Sequence, residues 1–196
     1  MNTLKAEKRD MNIKAKRLRR EGFVTGNLFG RQITESVPLK IPQKEAERLL
    51  KKSKKGSQVM LEVDGQTYDA LIKEMDYDSM KNQILEVDFQ ALVKGEKVHS
   101  VAEVVLKNHE KVAGVVEQLL QEISYKALPE DLVETVEIDA GELHVGDTIK
   151  VKDLAIASNE KLDLLTDREA AVVTVFEAHN GGVPEDAPAA EEETKE

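Results

Sequence analysis

Gln58-Val59-Met60-Leu61-Glu62-Val63-Asp64-Gly65 is a strand that runs into a two-residue turn. Val59, Met60, Leu61 and Val63 make it mostly apolar, and Asp-Gly is a strong hairpin signal. Thr67 to Lys73 therefore returns as a second strand beside the first. Residues 74–83 read as a polar connection, and Ile84 to Val93 supplies a third strand through Leu85, Val87 and Phe89. Upstream, Thr3 to Lys8 and Ser36 to Ile41 are further short strands, and Phe23 to Phe29 is a strand or an extended loop. Asn12 is a plausible N-cap for a helix Ile13 to Arg20 that Gly22 ends. Pro42 opens a second helix over Gln43 to Lys52, with Ala46, Leu49 and Leu50 on its apolar face. These elements predict an antiparallel sheet with two short helices, curled into a small barrel.

Lys94-Gly95-Glu96-Lys97 reads as a linker. Beyond it, Val101 to Leu106, Glu122 to Leu128, Glu134 to Ile138, Thr148 to Val151 and Ala170 to Phe176 are extended, while Val112 to Leu120 is ambiguous between helix and strand. A second, β-rich domain over 98–178 follows from this. From His179 the chain becomes rich in Pro, Gly, Ala and acid, with nothing to bury, so 179–196 reads as a disordered acidic tail. The fold class is thus mainly β, in two domains, 1–93 and 98–178.

The 196 residues contain no Cys and no Trp. The absence of Cys excludes disulfide scaffolds, thiolate metal sites and cysteine nucleophiles. No apolar run resembles a signal peptide or membrane span, so a soluble cytoplasmic protein without membrane contact is expected. His99, His109, His144 and His179 fit no metal-ligand spacing and read as isolated surface residues. Gly22, Gly26 and Gly30 lack the Gly-Lys-Ser/Thr ending of a phosphate loop. There is no serine elbow and no acid–base pair, so neither an enzyme nor a cofactor is expected.

The formal charge is −10, but it is segregated. Residues 1–55 hold 16 Lys and Arg against 6 Asp and Glu, whereas residues 98–196 hold 8 against 23. A positive region steers a protein toward a polyanion and a negative one stays outside it. A plain solubility gradient is the bland alternative. Lys14, Lys16, Arg17, Arg19 and Arg20 fall within seven residues, and Lys5, Lys8, Arg9 and Arg31 join the patch if strand and loop pack beside that helix. Such a group suits a phosphate backbone, and Arg adds a flat donor fork. Lys51, Lys52, Lys54 and Lys55 form a second cluster without Arg, read as a solvated helix end. Charge alone does not choose RNA over DNA.

Lys16-Arg17-Leu18-Arg19-Arg20-Glu21-Gly22, followed by Phe23-Val24-Thr25-Gly26-Asn27-Leu28-Phe29-Gly30, resembles the bacterial large-subunit ribosomal protein twenty-five family. Leu85-Glu86-Val87-Asp88-Phe89 resembles that family's His-Val-Asp-Phe strand. Leu128-Pro129-Glu130-Asp131-Leu132, Val136-Glu137-Ile138-Asp139 and the run Leu143 to Leu154 resemble its long, two-domain form, also called general stress protein CTC. The resemblance implies a six-stranded barrel-like domain that binds 5S rRNA, and a β-rich domain outside it on the central protuberance. It implies the large ribosomal subunit and neighbouring ribosomal proteins as partners, and a monomer off the ribosome. Arg17, Arg19 and Arg20 match the basic RNA-contacting run. Phe29 takes the place of a family tyrosine, Lys73 falls near an RNA-facing glutamine, and Asp88 matches the retained acid of the RNA-facing strand. Thr25-Gly26-Asn27 departs from Pro-Ala-Val/Ile, and Glu86 stands for the usual histidine. These departures keep a second reading open, a divergent stress protein of the same fold that binds ribosomes conditionally or takes another RNA. A third reading is a protein-interaction module whose acidic second half recruits a basic partner.

Overall fold

The computed structural model describes residues 2–81 and 83–177; the expected tail lies outside the described residues. The chain runs β1 (Asn2–Lys8), α1 (Ala15–Arg20), β2 (Phe23–Phe29), β3 (Val37–Pro42), α2 (Gln43–Leu50), β4 (Gln58–Val63), β5 (Gln66–Asp78) and β6 (Gln83–Ala91). These six strands close into a barrel in the order β1-β3-β2-β6-β5-β4. Alternate residues point inward: Val59, Leu61 and Val63 on β4 meet Leu4, Val24, Leu39, Ile41, Ile72 and Phe89 in one core. Asp64 and Gly65 both have positive φ, 48° and 85°, the type I′ geometry that the Asp-Gly pair favours.

The all-antiparallel expectation is corrected at two seams. β1 runs parallel to β4 and β2 parallel to β6, while the other four seams are antiparallel. Local hairpin signals show only neighbours along the chain, and both parallel seams join strands distant in sequence. The parallel β2–β6 seam is tight. A Cβ on Gly26 would lie 2.2 Å from the Val87 carbonyl oxygen. The segment around Gly26 is therefore a strand and not a loop.

Two further expectations change. Residues 74–78 are not a connection; they continue β5 and pair with β6 as far as Asp78 opposite Gln83. Polar side chains there hid a strand whose other face carries Met75 against the core. Helix α1 starts at Ala15, with Lys14 at the cap position and no side-chain cap bond. Asn12 instead bonds Asp10 Oδ1 through both its backbone N–H and its side-chain amide, at 2.9 Å each. That local turn competes with capping, a habit of Asp and Asn. Gly22, at φ 86°, ends the helix as expected.

The second half contains β7 (Val98–Lys107), β8 (Val115–Gln118), β9 (Glu122–Ala127), β10 (Thr135–Asp139), β11 (Thr148–Lys150), β12 (Asp163–Leu164) and β13 (Ala171–Phe176). They form two sheets, β10-β7-β9-β12 and β11-β13-β8, so the ambiguous stretch resolves to strand. One core lies beneath both, built on Ile123, Tyr125, Val151, Val172 and Val173. Tyr125 is fully buried; its hydroxyl donates to the Val133 carbonyl and accepts from the Val133 N–H, each at 2.8 Å. No helix among the described residues is long and apolar enough to cross a membrane.

The halves meet closely. Gly56 approaches Val101 so tightly that a Cβ on it would lie 2.2 Å from the Val101 oxygen. Lys54 pairs with Glu103 and Lys55 with Glu122, while Lys73 Nζ donates to the His99 carbonyl at 3.0 Å.

Candidate nucleic-acid interface

Helix α1 is short and buries Leu18, and Lys16, Arg17 and Arg20 face outward. Lys14, Lys16, Arg17 and Arg20 are exposed together. Arg17 pairs with Glu21 one turn on, at 2.9 Å, with 73% of its side chain exposed, so the pair is weak and leaves the fork available. Arg19 is half-buried, and its Nε donates to the Leu85 carbonyl of β6 at 3.2 Å. That bond fixes the helix against the barrel wall.

Lys8 is exposed at the end of β1. Arg9 turns inward instead: its Nη2 donates to the Ile13 carbonyl at 3.0 Å, and its Nε is buried with no hydrogen-bond partner among the described residues. Arg9 therefore braces the turn leading into α1.

The other expected residues lie elsewhere. Phe29 is half-buried at the far end of β2, opposite Gln90. Gln90 is four residues from Glu86 along β6, about 13 Å at strand spacing. Arg31 is largely exposed and pairs with Glu96 at 2.9 Å. Lys73 occupies a register irregularity in β5 and reaches the second domain through His99. Burial and the neighbouring Lys55 hold its pKa below the usual lysine value. The structure thus brings the α1 cations together with Lys8 and Arg9, and places Phe29, Arg31 and Lys73 apart from them.

Asp88 accepts from Asn27, from the backbone N–H and from Nδ2, each at 3.1 Å. Asn27 Nδ2 also approaches Glu86 Oε1 at 3.4 Å. Asp88 thus clasps β2 to β6, a sufficient reason for an acid there. Glu74, Asp76, Glu86 and Asp88 line one shallow depression between β5 and β6. The sequence places Glu86 and Asp88 on β6; Glu74 and Asp76 join them because residues 74–78 continue β5 instead of forming the expected connection. No group of side chains among the described residues forms a metal site.

The barrel wall therefore carries α1 cations at the Leu85 end of β6, an acidic strip along β5 and β6, and a second group of cations at the domain junction. Such a surface can hold a polyanion at its ends while its middle repels one.

Comparison with known proteins follows the same division of the chain. A model described as the Ribosomal L25p family matches residues 4–89, and one described as Ribosomal protein TL5, C-terminal domain, matches residues 97–179. Among curated relatives named Large ribosomal subunit protein bL25, that of Caldanaerobacter subterraneus subsp. tengcongensis is 31% identical over 198 residues, 99% of this chain and 96% of the relative. That of Gloeothece citriformis is 33% identical over 203 residues, 99% of this chain and 97% of the relative. That of Listeria monocytogenes serotype 4b is 31% identical over 196 residues, 97% and 88% respectively.

Proposed function

We propose, from the premise that this chain belongs to the ribosomal L25p family in the form with a TL5-type C-terminal domain, that it is a structural constituent of the large ribosomal subunit whose barrel binds 5S rRNA. The observation that carries this reading is the exposed row Lys14, Lys16, Arg17 and Arg20 on α1, held to the barrel by Arg19. Several cations on one rigid element release counterions from a phosphate backbone, and arginine forks pair with phosphates or stack on exposed bases. Residues 1–93 act as the binding domain and 98–178 face outward, away from the polyanion, with 94–97 linking them. Neighbouring ribosomal proteins are the remaining partners, and off the ribosome the chain is a monomer.

One observation favours the second reading. The acidic strip of Glu74, Asp76, Glu86 and Asp88 lies on the strand pair expected to face RNA. It favours a stress-type relative that joins ribosomes conditionally. Co-sedimentation of the native protein with large subunits, in low and high salt, separates the two. A constitutive constituent stays with the subunit through the high-salt wash, whereas a conditional one leaves. Absence from the subunit fraction even in low salt contradicts both.

A further inference from the structure

We propose that the crevice between the two domains binds a phosphate group. The crevice is lined by Lys55 and Gly56 from the segment before β4, by Lys73 from β5, and by His99, Ser100 and Val101 from β7. Lys126 on β9 stands directly opposite His99 in the antiparallel register, so its side chain joins the same face. Two elements of the barrel and one strand of the second domain thus line the crevice, with Lys126 on the neighbouring strand beside it. Nothing in the helical patch described above reaches it.

Among the described residues, the carboxylates nearby pair with Lys54, Lys55 and Lys97 rather than with Lys73 or Lys126. Glu122 is taken by Lys55, at 2.8 Å. Glu103 is taken by Lys54. Asp163 stands opposite Lys126 in register, yet its carboxylate pairs with Lys97 at 2.6 Å. Among the described residues, Lys73 donates to a neutral carbonyl, that of His99, and to no carboxylate. Lys73 and Lys126 therefore leave positive charge close to His99. The imidazole is held below its usual pKa by desolvation and by the ammonium groups of Lys126 and Lys73. Lys73 is likewise lowered, by burial and by Lys55.

Like charges held together by a fold are relieved by a small anion. Phosphate suits the place because it carries up to two charges and several acceptor oxygens, enough for two ammoniums and a protonated imidazole at once. Its source is either an RNA backbone passing over the junction or free inorganic phosphate. The inference stands without the 5S rRNA reading, since no residue of α1 lines the crevice.

His99 itself reports the test. The imidazole titration is followed by NMR in the full chain, in chloride and with inorganic phosphate at constant ionic strength. Phosphate is expected to raise the His99 pKa saturably and to leave His109 and His144 unchanged. The Lys126→Gln variant should lose the effect; among the described residues Lys126 has no part in the bonds that join the domains, so the fold is kept. Lys73→Met should lose it too. A second arm uses a short RNA duplex in phosphate-free buffer. A response to duplex and not to free phosphate assigns the site to an RNA backbone; the reverse assigns it to the free anion. No saturable change of His99 in either arm, or an equal change in Lys126→Gln, overturns the proposal. Arg17→Lys, Arg19→Lys and Arg20→Lys together should leave the phosphate response intact, so failure here and failure of the 5S rRNA reading are distinguishable.

Discussion

Arg19 and Leu85 are joined across 66 residues of sequence: the guanidinium Nε of α1 donates to a carbonyl on β6. The same carbonyl accepts from Thr25 Oγ1 at 3.3 Å. One oxygen thus ties the helix, β2 and β6 together. Arg19 is the brace of the basic helix, and its exposed neighbours are the hands.

This division of labour predicts different outcomes for two conservative substitutions. Arg20→Lys should leave thermal stability unchanged and reduce discrimination between 5S rRNA and an unrelated duplex, because it loses the planar fork without losing charge. Arg19→Lys should lower stability by about 1 kcal/mol, the net worth of a typical hydrogen bond. Urea unfolding and RNA titration of both variants check the assignment. Equal stability losses in the two would contradict it.

The acidic strip predicts a gain from removing charge. Glu86→Gln should raise affinity for 5S rRNA roughly fivefold at low salt, the ~1 kcal/mol expected for one unit charge about 4 Å from another in water. The gain should fade as salt screens the repulsion. Asp88→Asn should behave differently, because Asp88 accepts two bonds from Asn27 and its loss loosens β2 from β6. A falling Glu86→Gln affinity would show that the carboxylate makes a favourable contact.

Much of this was legible before any coordinates. The apolar-rich strand Gln58 to Val63 and the Asp64-Gly65 turn point to the barrel, and the basic run Lys14 to Arg20 to the helix. What escaped had physical reasons. The end of β5 is a strand in a polar disguise, since Glu74 and Asp76 point outward. The parallel seams pair segments that no local signal connects. Arg9 looked like a binding cation but turns inward on Ile13, and Lys73 is drawn to His99. Side-chain destination depends on the far partner, which charge counting does not see.

Gly56 and Gly65 make a matched comparison at the junction and the hairpin. Both have positive φ, 84° and 85°. A Cβ on Gly65 meets open space, so Gly65→Ala should cost only the ~1–2 kcal/mol of a left-handed residue. A Cβ on Gly56 meets the Val101 carbonyl, so Gly56→Ala should cost more and make the 94–97 linker easier to cleave. Chemical unfolding and limited proteolysis read both effects. Equal costs would mean that the domains do not dock through this contact.

Acid stability offers a prediction from Glu169. Hydrogen bonds from Lys152 and Lys150 lower its pKa from 4.5 to about 2. A depressed carboxylate pKa stabilises the fold above its unfolded value and loses that stabilisation as pH falls through the folded one. The contribution is therefore complete above about pH 4.5 and gone by about pH 2. Glu169→Gln should flatten this part of the acid limb in a thermal-melt pH series. An unchanged slope in that window would show that the three side chains do not pair in solution.

Titration of the full chain against 5S rRNA and against an unrelated duplex of equal length, at fixed salt, tests the central claim most directly. Three proteins are compared: wild type, the triple Arg17→Lys, Arg19→Lys, Arg20→Lys variant, and a variant with Lys51, Lys52, Lys54 and Lys55 changed to Gln. Folding of each is checked separately. Two of those four lysines are already held by Glu103 and Glu122, so the lysine variant should lose little 5S rRNA affinity. The arginine variant should keep weak, salt-dependent binding and lose its preference for 5S rRNA. If the arginine variant stayed fully selective, or the lysine variant lost the greater affinity, α1 would not be the RNA-reading element.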